Sequence, residues 1–567
     1  MGVYRFLIVS RPTAVALVWA AVVGAAYAAG PMLADAPIVW HEDDRRDVPK
    51  PERREVGLMR EMVDESVWHP LDRLFNPARA LRRIAGNPKT HPAANVNQLD
   101  EVPNSSWFTN RIGLFPMSPA AAARGPTRGT GPEHPWTIIS AKTEGITPGF
   151  NIRDARGDTS LIKFDAPGYL GMASAAGVIS GRIFHAVGYN VAEDYVVTFR
   201  REELTIGQDV EFVPPHGGPR RRMTEADVDA ILRPLEQPSA GEWRALASRF
   251  LSGVPVGPFS WKGRRGDDPN DRVNHEDRRE LRGMRMFAAW LCHFDLKQGN
   301  TLDMYVTEDD RSFVRHHLID FASTLGSGAA GSFEMACFEH GADFPAMGGR
   351  ALSLGFQEDA WRKLRRPPGL DEVGFFESEL FDPIEFKPLT NNAAFANMSD
   401  RDGYWAAKII SAFTDRHLEA VVAEGKYRNP AAAEYVTRIL SERRDKLVAY
   451  WFARVPPLDF FVPDGAVIRF HDLGVERNVF TGPARYRARA SAARSDRQHE
   501  QWTEWSEFTD PEVPVADLGP DPVVQSTSLD AFPFLAIEVE MNRGSEWSSP
   551  IMVYVARASG SVVAVER

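Results

Sequence analysis

Side chains with chemical potential are densest over eight consecutive residues, His293-Phe294-Asp295-Leu296-Lys297-Gln298-Gly299-Asn300. Two short runs add to them, Leu161-Ile162-Lys163-Phe164 and Asp320-Phe321-Ala322. Carboxylate, ammonium and carboxamide groups are the types that accept protons, neutralise anions and ligate hard cations. Other candidates are weaker. His275-Glu276 lacks the second histidine of a zinc-protease helix, so Glu276 reads as part of an exposed helix start. His316-His317 has no nearby cysteine or third histidine and reads as a packing or surface pair. The two cysteines, Cys292 and Cys337, read as separate buried thiols, although an oxidising compartment would let them pair and tie residue 292 to the segment after Asp320. Trp502, Trp505 and Trp547 read as aromatic core packing, with a carbohydrate or partner surface as the alternative.

The eight-residue run resembles the catalytic loop of protein kinases, His-Arg-Asp-Leu-Lys-x-x-Asn, with Phe294 in place of the arginine. Asp320-Phe321-Ala322 resembles that family's Asp-Phe-Gly element, with Ala322 in place of glycine, and Leu161–Phe164 resembles the strand bearing the nucleotide-binding lysine. The turn Glu144-Gly145-Ile146-Thr147-Pro148-Gly149-Phe150 stands where the family has its glycine turn, without the full glycine pattern. The resemblance implies a two-lobed fold over residues 136–455 that binds ATP and Mg²⁺. It implies Asp295 and Lys297 as catalytic residues, Asp295 taking the acceptor hydroxyl's proton and Lys297 meeting the transferring phosphate. Asn300 and Asp320 would be metal ligands, and Lys163, Gly145 and Gly149 would hold the nucleotide. His293 reads as a structural prop of the loop.

Two departures matter. In active protein kinases the strand lysine pairs with a helix glutamate, but the helix-like stretch Gly171–Val187 contains no acidic residue, leaving Asp165 or Glu193 as partners for Lys163. No Ala-Pro-Glu element follows Asp320, so protein, small-molecule and lipid acceptors all stay open. The implied activity is transfer of the ATP γ-phosphoryl group to a hydroxyl. The alternatives are a kinase-shaped ligand- or partner-binding protein without catalysis, and transfer of an adenylyl group by the same lobes.

Certain elements must position these groups. Trp136–Ser140, Phe150–Asp154, Ser160–Phe164 and Tyr195–Phe199 read as strands, with the helix-periodic Gly171–Val187 between the last two. Glu276–Cys292 is amphipathic and ends at the eight-residue run, while Thr301–Val306 and Phe313–Ile319 form a hairpin leading to Asp320. Residues 201–460 otherwise read as helical, notably Gly403–Phe413 and Ala432–Phe452. Val467–Phe470, Tyr486–Ala490, Phe534–Met541 and Ile551–Val555 suggest a separate β-sandwich over 465–567. The fold class is therefore α+β: kinase-like lobes at 136–200 and 201–460 with a C-terminal all-β domain.

Residues 1–28 have a basic start (Arg5, Arg11), an apolar stretch Ala14–Ala25 and the small-residue pattern Ala26-Tyr27-Ala28, the three parts of an export signal. Export places the chain in a periplasmic or extracellular compartment, with a membrane involved only if that segment is retained. Residues 29–135, polar and rich in proline and arginine, read as a partly ordered extension with one helix-like segment at Val56–Val67. With 567 residues, 43% hydrophobic, and a net charge of −11, the chain is an ordinary globular one. The acidic balance argues against nucleic acid as a partner. The runs Arg220-Arg221-Arg222 and Arg264-Arg265 read as solvated loop charge.

Overall fold

The structure, a computed structural model, describes residues 32–69, 75, 91–142, 149–214, 219–328, 330–341, 343, 350, 352, 359–515 and 528–567. The export segment 1–28 and Gly145 lie outside the described residues.

Helix and strand both contribute, so the chain is α+β. Its first sheet has six strands in the order Asp194–Arg200, Glu242–Arg249, Thr159–Lys163, Gly149–Arg153, Trp136–Ala141, Leu204–Ile206. All pairings are antiparallel except that of Trp136–Ala141 with Leu204–Ile206. Alternation gives each strand two faces. One face buries Ile138, Phe150, Ile162, Phe199 and Ala247 beneath Val228 and Leu232 of helix Glu225–Leu232. On the other face, Val196 and Leu246 meet Val178 of helix Met172–Val187. That helix packs closely because it is glycine-rich there: a Cβ on Gly177 would lie 2.9 Å from a Leu246 methyl.

The sheet does not end at residue 200, where the sequence divided the two lobes. Glu242–Arg249 inserts between two strands of the first half, and Leu204–Ile206 adds an edge. The run Trp243-Arg-Ala-Leu-Ala-Ser carries no β-branched residue, so local propensity hides a strand that its two neighbours impose.

The helical region is built around Arg279–Leu291, buried along nearly its whole length and packed by Asp400–Ser411 and Pro430–Arg454, the latter also carrying Asp415–Ala423. Caps define the starts. Ser399 and Asp402 form a reciprocal capping box, and Asn429 accepts from the Ala431 amide ahead of Pro430 at the first helical position. Trp290 and Trp405, both essentially inaccessible, anchor this core. Burying side chains of this size contributes about 1.5–3 kcal/mol each. Among the described residues, no helix is long and apolar enough to cross a membrane.

A second sheet, Val254–Gly257, Thr301–Glu308 and Arg311–Leu318, includes the expected hairpin, paired from Thr301↔Leu318 down to Glu308↔Arg311. Beyond the helices, a three-stranded sheet (Leu458–Asp464, Val467–Asp472, Glu512–Pro514) and a five-stranded one share a cluster that includes Phe461, Ile468, Ile537 and Val553. Of the three tryptophans, Trp502 packs against the cluster that includes Ala493, Phe534 and Tyr554, while Trp505 and Trp547 belong to no core cluster. All three lie half-buried against arginines of strand Arg485–Ala493: Trp505 and Trp547 against Arg487, and Trp502 against Arg489, with guanidinium-to-ring distances of 4.2–5.0 Å.

The extension is ordered where it is described, contrary to its composition. Backbone bonds attach it to the body: Val48 N to Ser312 O (2.9 Å), Arg54 N to Val256 O (3.0 Å) and Ala94 N to Asp277 O (2.9 Å). Trp107 and Phe108 are buried, Trp107 stacking on His316 at 3.5 Å. Arg265 is no solvated loop charge either. It is fully buried and pairs with Asp303 at 3.1 Å.

Candidate functional site

The eight-residue run follows helix Arg279–Leu291 because Cys292 takes a left-handed conformation (φ 48°) that ends the helix. Cys292 is disulfide-bonded to Cys337, so the two are not separate thiols. The bridge fixes the residue before His293 to the segment beyond Asp320. Sequence alone gives no distance between two residues 45 apart, which is why pairing was not legible.

Hairpin Thr301–Leu318 closes the other side. Ile319 N donates to Asn300 O at 3.0 Å, which sets Asn300 beside Asp320 although twenty positions separate them in sequence. Asn300 Nδ2 donates to the Asp295 carbonyl at 2.7 Å, and Lys297 Nζ lies 2.8 Å from Asp295 Oδ2. Asp320 has a positive φ of 62°, an uncommon conformation that aspartate tolerates better than most residues. Its carboxylate pairs with Lys163 Nζ at 2.8 Å. Lys163 therefore uses neither expected partner. Asp165 accepts from the Gly171 and Ser174 amides at the start of helix Met172–Val187, and Glu193 is taken by Arg128, Tyr195 and Arg249. Gly149 stands opposite Lys163 in the strand register, and a Cβ on it would come 2.1 Å from the Ile162 carbonyl oxygen, so only glycine fits.

Five residues singled out in sequence, Lys163, Asp295, Lys297, Asn300 and Asp320, thus meet in one place, with Gly149 at its edge. Burial tends to raise the Asp320 carboxyl's pKa, but Lys163, then Lys297 and Lys142, outweigh it and hold it below the usual carboxylate range. Lys142, at the end of strand Trp136–Ala141, is a cation that no motif signalled. His293 is buried, which lowers its imidazole to about 4 against the opposing pull of Asp295. It is neutral near pH 7 and packs on Phe321, which also stacks on Phe184 of helix Met172–Val187 at 5.0 Å.

Two acidic groups escaped the sequence reading. Glu61, from the extension helix Leu58–Val63, accepts the Gln298 amide directly at the loop. Burial pushes its carboxyl up to about 7, with Glu65 and Asp295 adding to that and Lys297 opposing it. Asp194, buried at the start of strand Asp194–Arg200, is pushed up by burial to about 6, while Ser248 and Lys163 work in the other direction. Neither belongs to a local motif, and only the tertiary fold brings them in.

The donor set fits a hard divalent cation. Asp320 offers carboxylate oxygens, and Asn300 Oδ1 has no hydrogen-bond partner among the described residues, its Nδ2 being used on Asp295. The described residues contain no cluster of three or more His, Cys, Asp or Glu suited to a metal, so further ligands would come from a phosphate and water.

No protein-family profile matches the chain, and no curated protein matches it. Among solved structures, a crystal structure of the Golgi casein kinase aligns over 57% of this chain and 75% of its own at 9% identity, with a TM-score of 0.28. A second, of the Golgi casein kinase with Mn/ADP bound, aligns over 58% and 76% at 9% identity, with a TM-score of 0.27.

Proposed function

We propose that this chain is an exported, two-lobed, protein-kinase-like phosphotransferase that moves the γ-phosphoryl group of ATP to a hydroxyl acceptor with Mg²⁺. The observation that carries this reading is the convergence of Lys163, Asp295, Lys297, Asn300 and Asp320, drawn from three separated stretches of chain.

In this reading Lys163 holds the inner phosphates of ATP across from Gly149, whose lack of a side chain lets the two strands pair closely there. Asp295 receives the acceptor hydroxyl's proton as the acceptor oxygen bonds to the γ-phosphorus and the bond to the bridging oxygen breaks, releasing ADP. Lys297, now paired with Asp295, neutralises charge on the phosphoryl oxygens. Mg²⁺ held by Asn300 and Asp320 would supply further neutralisation of the phosphates. His293, neutral and packed on Phe321, keeps the loop in place and handles no proton.

Residues 1–28 direct export, the described parts of 29–135 brace the lobes, and the two C-terminal sheets form an appended β-sandwich. The Cys292–Cys337 bridge supports an oxidising compartment. The test is incubation of the chain with Mg²⁺ and ATP and candidate protein, small-molecule and lipid acceptors, followed by intact mass. A gain of about 80 Da marks phosphoryl transfer and one of about 329 Da adenylyl transfer, both fixed by the added group. ATP binding without any mass gain would favour the non-catalytic binding protein.

A further inference from the structure

Helix Met172–Val187 contains no acidic residue, whereas in active protein kinases the phosphate-holding lysine is fixed by a helix glutamate. Asp320 fills that role in the structure at 2.8 Å, but the proposed function assigns Asp320 to the metal. Once it turns to a cation, Lys163 needs another partner.

We propose that Asp194 is that partner: a positioning residue that takes up Lys163 when Asp320 is engaged by metal and nucleotide. This deepens the reading given above and rests on it.

Strand register supplies the geometry. Lys163 pairs with Leu246, which pairs with Val196. Two residues along each strand, Leu161 pairs with Ser248 and Ser248 with Asp194. Side chains two apart on a strand share a face. Lys163, Ser248 and Asp194 therefore project to the same side, the one where Val196 and Leu246 meet helix residue Val178. One strand, carrying Leu246 and Ser248, lies between them.

The helix lies directly against this acid. A Cβ at Gly181 would sit 3.5 Å from Asp194 Oδ2 and 3.5 Å from the Phe321 ring. The carboxylate thus lies beneath the helix next to the Asp320-Phe321 element, supplied by the sheet. Asp194 is 5% exposed, and Ser248 Oγ donates to Oδ1. Its field reaches both Lys163 and Asp320. Arg182 from the helix is the other cation acting on it, but Arg182 is occupied by the Arg124 carbonyl at 2.7 Å and by Glu424.

The test is calorimetric titration of the full chain with Mg·ATP and, separately, with adenosine, which lacks the phosphates Lys163 would hold. Wild type, Asp194→Asn, Lys163→Met and the double variant form a cycle. Asp194→Asn is expected to weaken Mg·ATP binding about tenfold and leave adenosine binding unchanged, and in the Lys163→Met background to add nothing. Unchanged Mg·ATP affinity in Asp194→Asn, or losses that simply add in the double variant, overturns the assignment while leaving the phosphotransferase reading intact. Failure of wild type to bind Mg·ATP overturns both. If Asp194→Asn does not fold, Ser248→Ala, which removes the hydroxyl on Asp194 Oδ1, provides the same comparison. A several-fold loss of Mg·ATP affinity is expected, and wild-type affinity overturns the assignment.

Discussion

The Ile319 amide donates to the Asn300 carbonyl at 3.0 Å, and that bond closes the hairpin that puts Asp320 beside Asn300. Everything proposed for the site depends on this closure, because Asn300 precedes Thr301 and Asp320 follows Leu318, the residues paired at the open end of the hairpin.

Opposite Lys163, Gly149 tolerates no side chain, since a Cβ would lie 2.1 Å from the Ile162 carbonyl oxygen, a backbone atom that cannot swing away. Gly149→Ala must push apart the strands that hold Lys163. The expected result is loss of Mg·ATP affinity by tenfold or more in calorimetry with far-ultraviolet circular dichroism unchanged. Wild-type affinity would show that this strand pair does not set the lysine.

Replacing the proposed proton acceptor separates chemistry from binding. Asp295→Asn keeps the side chain's size but cannot take a proton. It should lower phosphoryl transfer by roughly 10²–10⁴-fold, while Mg·ATP affinity stays within a few-fold of wild type. Equal turnover in the variant, measured once an acceptor is in hand, would remove Asp295 from the reaction.

Reduction of the Cys292–Cys337 bridge frees the loop it closes. With the cysteines 45 positions apart, its loss is expected to cost roughly 2–4 kcal/mol of stability. Thiol titration of the unfolded, unreduced chain should find no free thiol and, after reductant, two. Melting of Cys337→Ser should fall by several degrees.

Glu61 gives a pH dependence with a defined sign. Burial raises its folded-state pKa to about 7, above the ordinary glutamate value of 4.5. The folded state then binds the proton more tightly than the unfolded one. Its stabilising contribution is complete below about pH 4.5 and is lost as pH rises to about 7. Glu61→Gln lacks this titration. The stability of wild type relative to Glu61→Gln should therefore fall between pH 4.5 and 7, by as much as about 3 kcal/mol, in denaturant melts at a series of pH values. A constant difference across that window would contradict the burial of Glu61 against the His293–Asn300 loop.

Much of this arrangement was readable in the sequence where periodicity is local. Helix Arg279–Leu291 and hairpin Thr301–Leu318 each follow from apolar spacing within one stretch, and they deliver Asp295, Lys297, Asn300 and Asp320 to one place. What escaped is set by register between distant strands. Glu242–Arg249 is a strand because Asp194–Arg200 and Thr159–Lys163 flank it, and its alanines and leucine carry no strand signal of their own. The partner of Lys163 was sought on the helix and then at Asp165 and Glu193, whereas the structure pairs it with Asp320, far along the chain, and Asp194 shares its face of the sheet only across two strands. The extension looked loosely ordered because its composition is polar, yet Ser106 N and Oγ bind Asp44 at 2.8 and 2.6 Å, and Trp107 fills a buried slot on His316. Composition records what a segment could bury alone, and the described parts of this one are held by the body they lie on.

The most direct test of the central claim is calorimetric titration of residues 29–567 with ATP, with and without Mg²⁺, in wild type and Asp320→Ala. The account predicts binding that requires Mg²⁺ and disappears in Asp320→Ala. Absence of binding under every metal condition, or binding that is indifferent to both the metal and the substitution, would contradict it.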